Sequence, residues 1–79
     1  MTAGLSETVR AGVVFEHNSF RPVWFGMGGL KIVIKNVCYQ WKERRADEVI
    51  YKFTVTDGMQ FYELEFASRQ VEWRLTATE

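Results

Sequence analysis

The chain has 79 residues, a formal net charge of zero, twelve aromatic residues, one proline and one cysteine. This length predicts one domain, and a hydrophobic content of 47% excludes a disordered polypeptide. No apolar run approaches the roughly 18 residues that a membrane-spanning helix needs, so no membrane partner is expected. One cysteine excludes an internal disulfide and a multi-thiolate metal centre. With no signal-peptide pattern visible, a reducing, cytoplasmic location is expected.

The zero net charge hides an uneven distribution along the chain. Residues 1–47 carry seven Lys or Arg and four Asp or Glu, whereas residues 48–79 carry three and six. The first part is therefore +3 and the second −3. The balanced total predicts no overall attraction to a polyanion, although it leaves a local basic patch open.

Composition divides the chain into a tail and a domain. Residues 1–12 are rich in Thr, Ala, Gly and Ser without a period, which predicts a flexible N-terminal tail. Residues 13–79 are predicted to form a single small β-domain, because Val, Ile, Thr and aromatic residues suit a pleated surface. Val13–His17 is a candidate first strand with a turn at Asn18-Ser19. Pro22 starts the next strand, where a missing N–H is tolerated.

Asp57-Gly58 is the strongest turn signal in the sequence. It favours a two-residue type I′ turn, in which both central residues have positive φ. Folding about that turn pairs Phe53 with Tyr62 and gathers the apolar residues on one face. The other face pairs Lys52 with Glu63, so a slip of one residue would destroy the match.

A second two-residue turn is predicted at Ser68-Arg69. It places Arg74 opposite Glu63, which gives the polar face a ladder of Lys52, Glu63 and Arg74. Opposite charges across neighbouring strands support the register. Glutamates on this face, such as Glu65, are expected to be solvated.

The residues upstream predict a hairpin and a bent strand. Gly26–Gly29 favours a flexible turn that pairs Phe25 with Leu30. The run that follows changes phase at Lys35-Asn36, where a bulge or bend would restore one interior. The apolar residues expected to share that interior are Leu30, Ile32, Ile34, Val37, Tyr39 and Trp41. The predicted fold class is all-β: an antiparallel meander of five or six strands, curled into a small barrel or roll of SH3-like size.

The sequence offers little catalytic chemistry. His17 and Cys38 are the only residues of their types, and a nucleophilic site would need them together with an orienting group. Cys38 lies within a predicted strand, without a Gly-rich elbow or helix N-terminus to activate it. Gly26–Gly29 matches no phosphate-binding pattern. We therefore expect no catalytic residue, no cofactor, no metal site and no enzymatic activity.

Two aromatic residues, Trp24 and Phe61, fall out of phase with the predicted core. The basic residues expected around them are Lys31, Lys35, Lys42, Arg44 and Arg45. The first hypothesis is a non-catalytic interaction module that binds a protein partner or itself through this surface. The alternative is binding of single-stranded nucleic acid, with stacking on the rings and phosphates on the cations. A third interpretation has the N-terminal strand or a second subunit covering both rings.

Five short motifs follow one another in an order that resembles the pattern of a known family. They are Pro22-x-x-Phe25, Gly28-Gly29-x-Lys31-Ile32, Trp41-Lys42-Glu43-Arg44, Tyr62-Glu63-Leu64 and Trp73-Arg74-Leu75. In this order residues 21–76 resemble a small bacterial family of uncharacterised all-β domains. The resemblance implies a compact β-fold and carries over no catalytic residue.

Overall fold

A computed structural model describes the backbone of residues 3–79 and the side chains of residues 6–79. The described residues form one antiparallel sheet and contain no helix. Its strands are β1 (Ala3–Glu16), β2 (Ser19–Met27), β3 (Leu30–Val33), β4 (Asn36–Arg45), β5 (Glu48–Thr56), β6 (Phe61–Ala67) and β7 (Glu72–Thr78). The sheet curls into a half-barrel, which confirms the predicted all-β fold class.

The strand order shows where the half-barrel is open. Across the sheet the order is β3-β2-β1-β7-β6-β5-β4, so the first and last strands of the chain pair at its centre. The edge strands are β3 and β4, which follow one another in sequence but do not pair. Ile34 and Lys35 link them and donate to the carbonyls of Val23 and Thr56. An open seam therefore runs between the two edges beyond this link.

The N-terminal segment differs from the tail that its composition predicted. Met1 and Thr2 lie outside the described residues, but β1 begins at Ala3 and pairs with both β2 and β7. The chain has seven strands instead of five or six, because the run predicted as one bent strand after Gly29 forms both β3 and β4. The segment is ordered by its neighbours: Val9 is buried among the core residues, and Ala11 packs against them. Local composition carries no sign of such tertiary contacts.

The β5–β6 turn is longer than predicted. Thr56 pairs with Phe61 across a four-residue loop, so Phe53 faces Leu64 instead of Tyr62. The carboxylate of Asp57 accepts hydrogen bonds from the backbone N–H groups of Met59 and Gln60, at 2.9 and 2.8 Å. The type I′ geometry expected here is found at the β1–β2 turn, where φ is 53° at His17 and 60° at Asn18.

The other hairpin registers are displaced in the same way. Across β6–β7, Glu65 faces Arg74, although Glu63 was predicted there. Across β2–β3, Phe25 faces Ile32 instead of Leu30. Each of these pairs moves by two positions, and a bulge between Glu63 and Leu64 adds one more position at the start of β6. Side chains alternate with a period of two. The assignment of residues to faces therefore survives while the individual pairs change.

The inner face of the half-barrel carries the hydrophobic core. Phe25, Leu64, Leu75 and Val55 are fully buried there. The Phe20 ring contacts five others at centroid distances between 5.0 and 6.2 Å, namely those of Phe15, Tyr51, Phe53, Phe66 and Trp73. The core therefore combines aliphatic side chains and Phe25 with an aromatic cluster around Phe20.

Strand β4 contains a β-bulge that the sequence analysis did not predict, and two residues predicted in the core lie elsewhere as a result. The pairing with β5 shifts register between Val37 and Tyr39, with Cys38 as the extra residue. Val37 packs against the core, as expected. Tyr39 and Trp41 instead face the outer side, because they pair with Thr54 and Lys52. Predicting one bend at Lys35-Asn36 missed this bulge, which sends the two aromatic side chains outwards.

Candidate interaction surfaces

Trp24 lies on the outer face, as its phase predicted, but it is well supported there. It pairs with Gly12 on β1, and a Cβ atom added to Gly12 would lie 2.0 Å from the indole Nε1. The ring is therefore seated over the glycine. Lys31 lies 4.9 Å from the ring centroid and Arg10 lies 5.8 Å from it. Two cation–π contacts of this kind stabilise the half-buried ring.

Phe61 lies at the start of β6 and is 50% exposed. Its backbone forms two hydrogen bonds with Glu79, each 2.8 Å long. Strands β1 and β7 separate β6 from the strand that carries Trp24. The two out-of-phase aromatics therefore lie on separate parts of the outer face and do not form one platform.

The predicted basic residues are also dispersed. Lys31 belongs to edge strand β3, whereas Lys42, Arg44 and Arg45 belong to the opposite edge strand β4. Lys35 packs its side chain beside Gly58 in the β5–β6 loop. Of the five predicted basic residues, Lys31 contacts Trp24, and the other four lie elsewhere on the protein.

Arg45 is part of a buried ion network on the outer face. Its guanidinium contacts Glu65 at 3.1 Å, and Glu65 also contacts Lys52 at 3.0 Å and Arg74 at 2.8 Å. Lys52 forms a further ion pair with Glu63 at 2.7 Å. The predicted ladder therefore centres on Glu65 and not on Glu63. Glu65 is 2% exposed, which corrects the expectation of a solvated glutamate.

The network sets the protonation of its members. Burial acts to raise the pKa of Glu65, but hydrogen bonds from Arg45, Lys52 and Arg74 outweigh it and lower that pKa to about 2. Burial likewise acts to lower the pKa of Lys52, and its bonds to Glu63 and Glu65 reverse the direction and raise it. Within the described residues no buried side-chain nitrogen or oxygen lacks a hydrogen-bond partner. The buried charges of Glu65 and Lys52 are therefore each compensated by ion pairs. This compensation makes the network part of the structure of the sheet.

The aromatic pair on β4 is a surface that the sequence pattern missed. Tyr39 is 66% exposed, and its ring lies 5.2 Å from that of Trp41. The Trp41 indole N–H donates to Glu43 at 3.3 Å, and Lys52 lies 6.0 Å from the ring centroid. Among the strands of residues 3–79, only β5 pairs with β4, so the other edge of this ten-residue strand has no strand neighbour there. The sequence pattern does not reveal the bulge at Cys38, and without it Tyr39 and Trp41 were predicted to lie in the core.

A cleft of about 410 Å³ opens on the inner face beside the seam. Strand β3 pairs only with Trp24–Met27, so the first half of β2 has no outer neighbour. The cleft lies between that half of β2 and the middle of β4 and β5. Its lining residues are Asn18, Ser19, Phe20, Gln40, Trp41, Lys42, Tyr51 and Phe53. It thus combines an aromatic floor with a polar rim.

The two residues considered for nucleophilic chemistry occupy different elements. His17 lies in the β1–β2 turn, and Cys38 lies exposed in the bulge of edge strand β4. Neither residue lines the cleft. Among residues 3–79 there is also no group of three or more His, Cys, Asp or Glu side chains placed to hold a metal ion.

Comparisons with protein-family models, curated proteins and solved structures each gave no match. The resemblance to a bacterial β-domain family therefore stays a prediction. Within the described part of the chain, no helix is long and apolar enough to cross a membrane.

Proposed function

We propose that the protein is a non-catalytic self-association module in which two copies pair through the free edge of β4. The observation that carries this proposal is the exposed aromatic pair Tyr39 and Trp41 beside an unpaired ten-residue edge. An edge strand presents a row of free N–H and C=O groups that another strand can bind. The surface differs from the predicted one around Trp24, Phe61 and Arg44-Arg45, although the class of function is the same.

The sequence of β4 supports a specific register for this pairing. A two-fold axis perpendicular to the sheet at Gln40 sets Tyr39 opposite the partner's Trp41, and both lie on the outer face. The charged residues Lys42, Glu43 and Arg44 then face uncharged residues of the partner strand. An axis at Lys42 would set that lysine against its own copy, and an axis at Trp41 would set Glu43 opposite Tyr39. The axis at Gln40 is favoured because cross-strand aromatic pairs are stabilising and opposed like charges are destabilising.

The small size of the domain gives self-association a physical benefit. A chain of 79 residues buries a limited core, and oligomerisation is one way in which small domains gain stability. One added strand pair buries a modest area, so a weak and concentration-dependent dimer is expected.

Sedimentation equilibrium tests the proposal directly. Wild-type protein should change from monomer to dimer between roughly 10 μM and 1 mM, a range suited to a small interface. Tyr39→Ser should weaken the dimer by at least about tenfold, because it removes the ring that packs against the partner's Trp41. Leu30→Ser is the matched control, since Leu30 is 60% exposed on the other edge strand, and it should dimerise like the wild type. A wild-type monomer at every concentration, or equal loss in both variants, would overturn the proposal.

Binding of single-stranded nucleic acid is the alternative that the sequence predicted. It would use Lys31, Lys35, Lys42, Arg44 and Arg45 with Trp24 and Phe61. The dispersion of these cations gives it less support than the β4 edge has. Amide chemical shifts that stay unchanged on titration with a single-stranded oligonucleotide at low salt would exclude it, because phosphate contacts are strongest there.

A further inference from the structure

The open end of the inner face has an aromatic surface that the core does not fully enclose. Phe15 is 77% exposed, and its ring stacks on that of Phe20 at 5.7 Å. The Phe20 ring meets that of Tyr51 at 5.0 Å, edge to face. Phe20 and Tyr51 both line the 410 Å³ cleft and are only partly buried. This volume lies within the usual range of small-molecule sites.

The lining of the cleft on β4 includes a cation without an ion-pair partner. Lys42 lines the cleft and pairs with Tyr51 across the sheet. Arg44 lies two residues further along the same face, opposite Val49, beyond the lining residues. Across residues 6–79 neither cation forms a salt bridge. A cleft lined by an unpaired cation is complementary to an anion.

Two carboxylates in elements beside the cleft are already paired. Glu16 contacts Arg21 at 3.5 Å. Asp47, in the turn after β4, forms an ion pair with Arg69. Among the described residues that line the cleft, Lys42 is the charged one and no carboxylate is present. The lining therefore carries a net positive charge.

We infer that the cleft binds a small aromatic carboxylate. The aromatic body lies against Phe20 and Tyr51, where stacked or edge-to-face contacts add to the burial of apolar area. The carboxylate lies at the rim, where the Lys42 ammonium donates a charge-assisted hydrogen bond. The cleft adjoins the β4 edge, since Gln40 and Trp41 also line it. A variant that weakens the dimer therefore has to be included in the test of ligand binding.

Two probes of matched shape test this site by ¹H–¹⁵N NMR titration. They are naphthalene-2-carboxylate and the neutral alcohol naphthalene-2-methanol. Shift changes should centre on Phe20, Tyr51 and Lys42, and the carboxylate should bind about tenfold more tightly, as one charge-assisted hydrogen bond implies. Shifts centred on Trp24 and Lys31, equal affinity for both probes, or no binding of either would overturn the inference.

Substitutions separate the role of Lys42 from general charge effects. Lys42→Gln should weaken carboxylate binding by about tenfold and leave alcohol binding unchanged. Lys35→Gln removes a lysine that packs beside Gly58, away from the cleft, and should leave both affinities unchanged. Equal losses in the two variants would contradict a specific role for Lys42. Tyr39→Ser, which is neutral and weakens the proposed dimer, should bind the carboxylate like the wild type. Loss of binding in this variant would show that the site needs the dimer.

Discussion

The Lys52 ammonium lies 3.0 Å from the Glu65 carboxylate, and both side chains are buried although they lie on the outer face of the sheet. They face each other across β5 and β6, and two arginines complete the surroundings of the carboxylate. Burying one charge without its partner is costly, whereas a fully bonded group is tolerated. The network therefore makes the sheet sensitive to pH and to the loss of single members.

Acid should destabilise the protein through Glu65. Its pKa falls from an ordinary 4.5 in the unfolded chain to about 2 in the folded protein. The stabilisation from the ionised group is thus fully present above the unfolded pKa and is lost as pH falls through the folded pKa. The loss should reach about 3 kcal/mol between roughly pH 5 and pH 2. Urea unfolding at several pH values measures it.

Glu65→Gln should flatten that pH dependence, because glutamine does not titrate. Glu63→Gln is the control: its carboxylate is partly exposed and contacts only Lys52 among the network cations. This variant should keep most of the wild-type slope. Parallel curves for Glu65→Gln and the wild type would show that Glu65 does not carry the effect.

The two partners should differ in what their loss costs at neutral pH. Glu65→Gln leaves Lys52, Arg45 and Arg74 around a neutral group and should cost about 3–5 kcal/mol. Lys52→Met leaves Glu65 with both arginines, so it should cost distinctly less. Chemical denaturation of both single variants and the double variant gives the coupling energy. An equal cost for the two single changes would show that the arginines contribute little.

Gly12 should not tolerate a side chain, because the Trp24 ring packs directly on it. A Cβ atom there would overlap the indole, so Gly12→Ala should lower the free energy of unfolding by about 1–3 kcal/mol. In a Trp24→Ala background the same change should cost much less, because the overlap is absent. Urea denaturation of the four proteins checks this cycle. Equal costs in both backgrounds would mean that strain in β1 itself is responsible.

Asp57 should stabilise the β5–β6 loop through its carboxylate. Hydrogen bonds from the backbone N–H groups of Gln60 and Met59 lower its pKa, and the Tyr62 hydroxyl donates to it at 3.1 Å. Asp57→Ala should therefore destabilise the protein by about 1 kcal/mol. Asp47→Ala is the control, since Asp47 forms only an exposed ion pair, which should contribute less than about 0.5 kcal/mol. Thermal unfolding that ranks the two variants in the reverse order would contradict this.

The sequence was sufficient to predict the all-β class and the residues on each face of β5, β6 and β7. Period-two alternation carries that information, and a register error of two positions leaves it intact. The pairs between β5 and β6 were wrong because the side chain of Asp57 stabilises a four-residue loop. Backbone turn preferences alone favoured two residues at that point.

Other features depend on contacts between distant residues. The strand formed by Ala3–Glu16 is held by β2 and β7, which its own composition does not indicate. Arg45 reaches Glu65 from two strands away, and this buries a glutamate that alternation placed in solvent. The bulge at Cys38 turns Tyr39 and Trp41 outwards. The proposed interaction edge follows from that bulge, so it became visible only in three dimensions.

The central claim is that two copies pair through β4 about Gln40. An isotope-filtered NOESY spectrum of a mixture of labelled and unlabelled protein, recorded near 1 mM where a weak dimer is populated, tests it most directly. Pairing about Gln40 should give intermolecular contacts between the Tyr39 ring of one protomer and the partner's Trp41, and none that involve Leu30. The absence of intermolecular contacts, or contacts that map to β3, would contradict it.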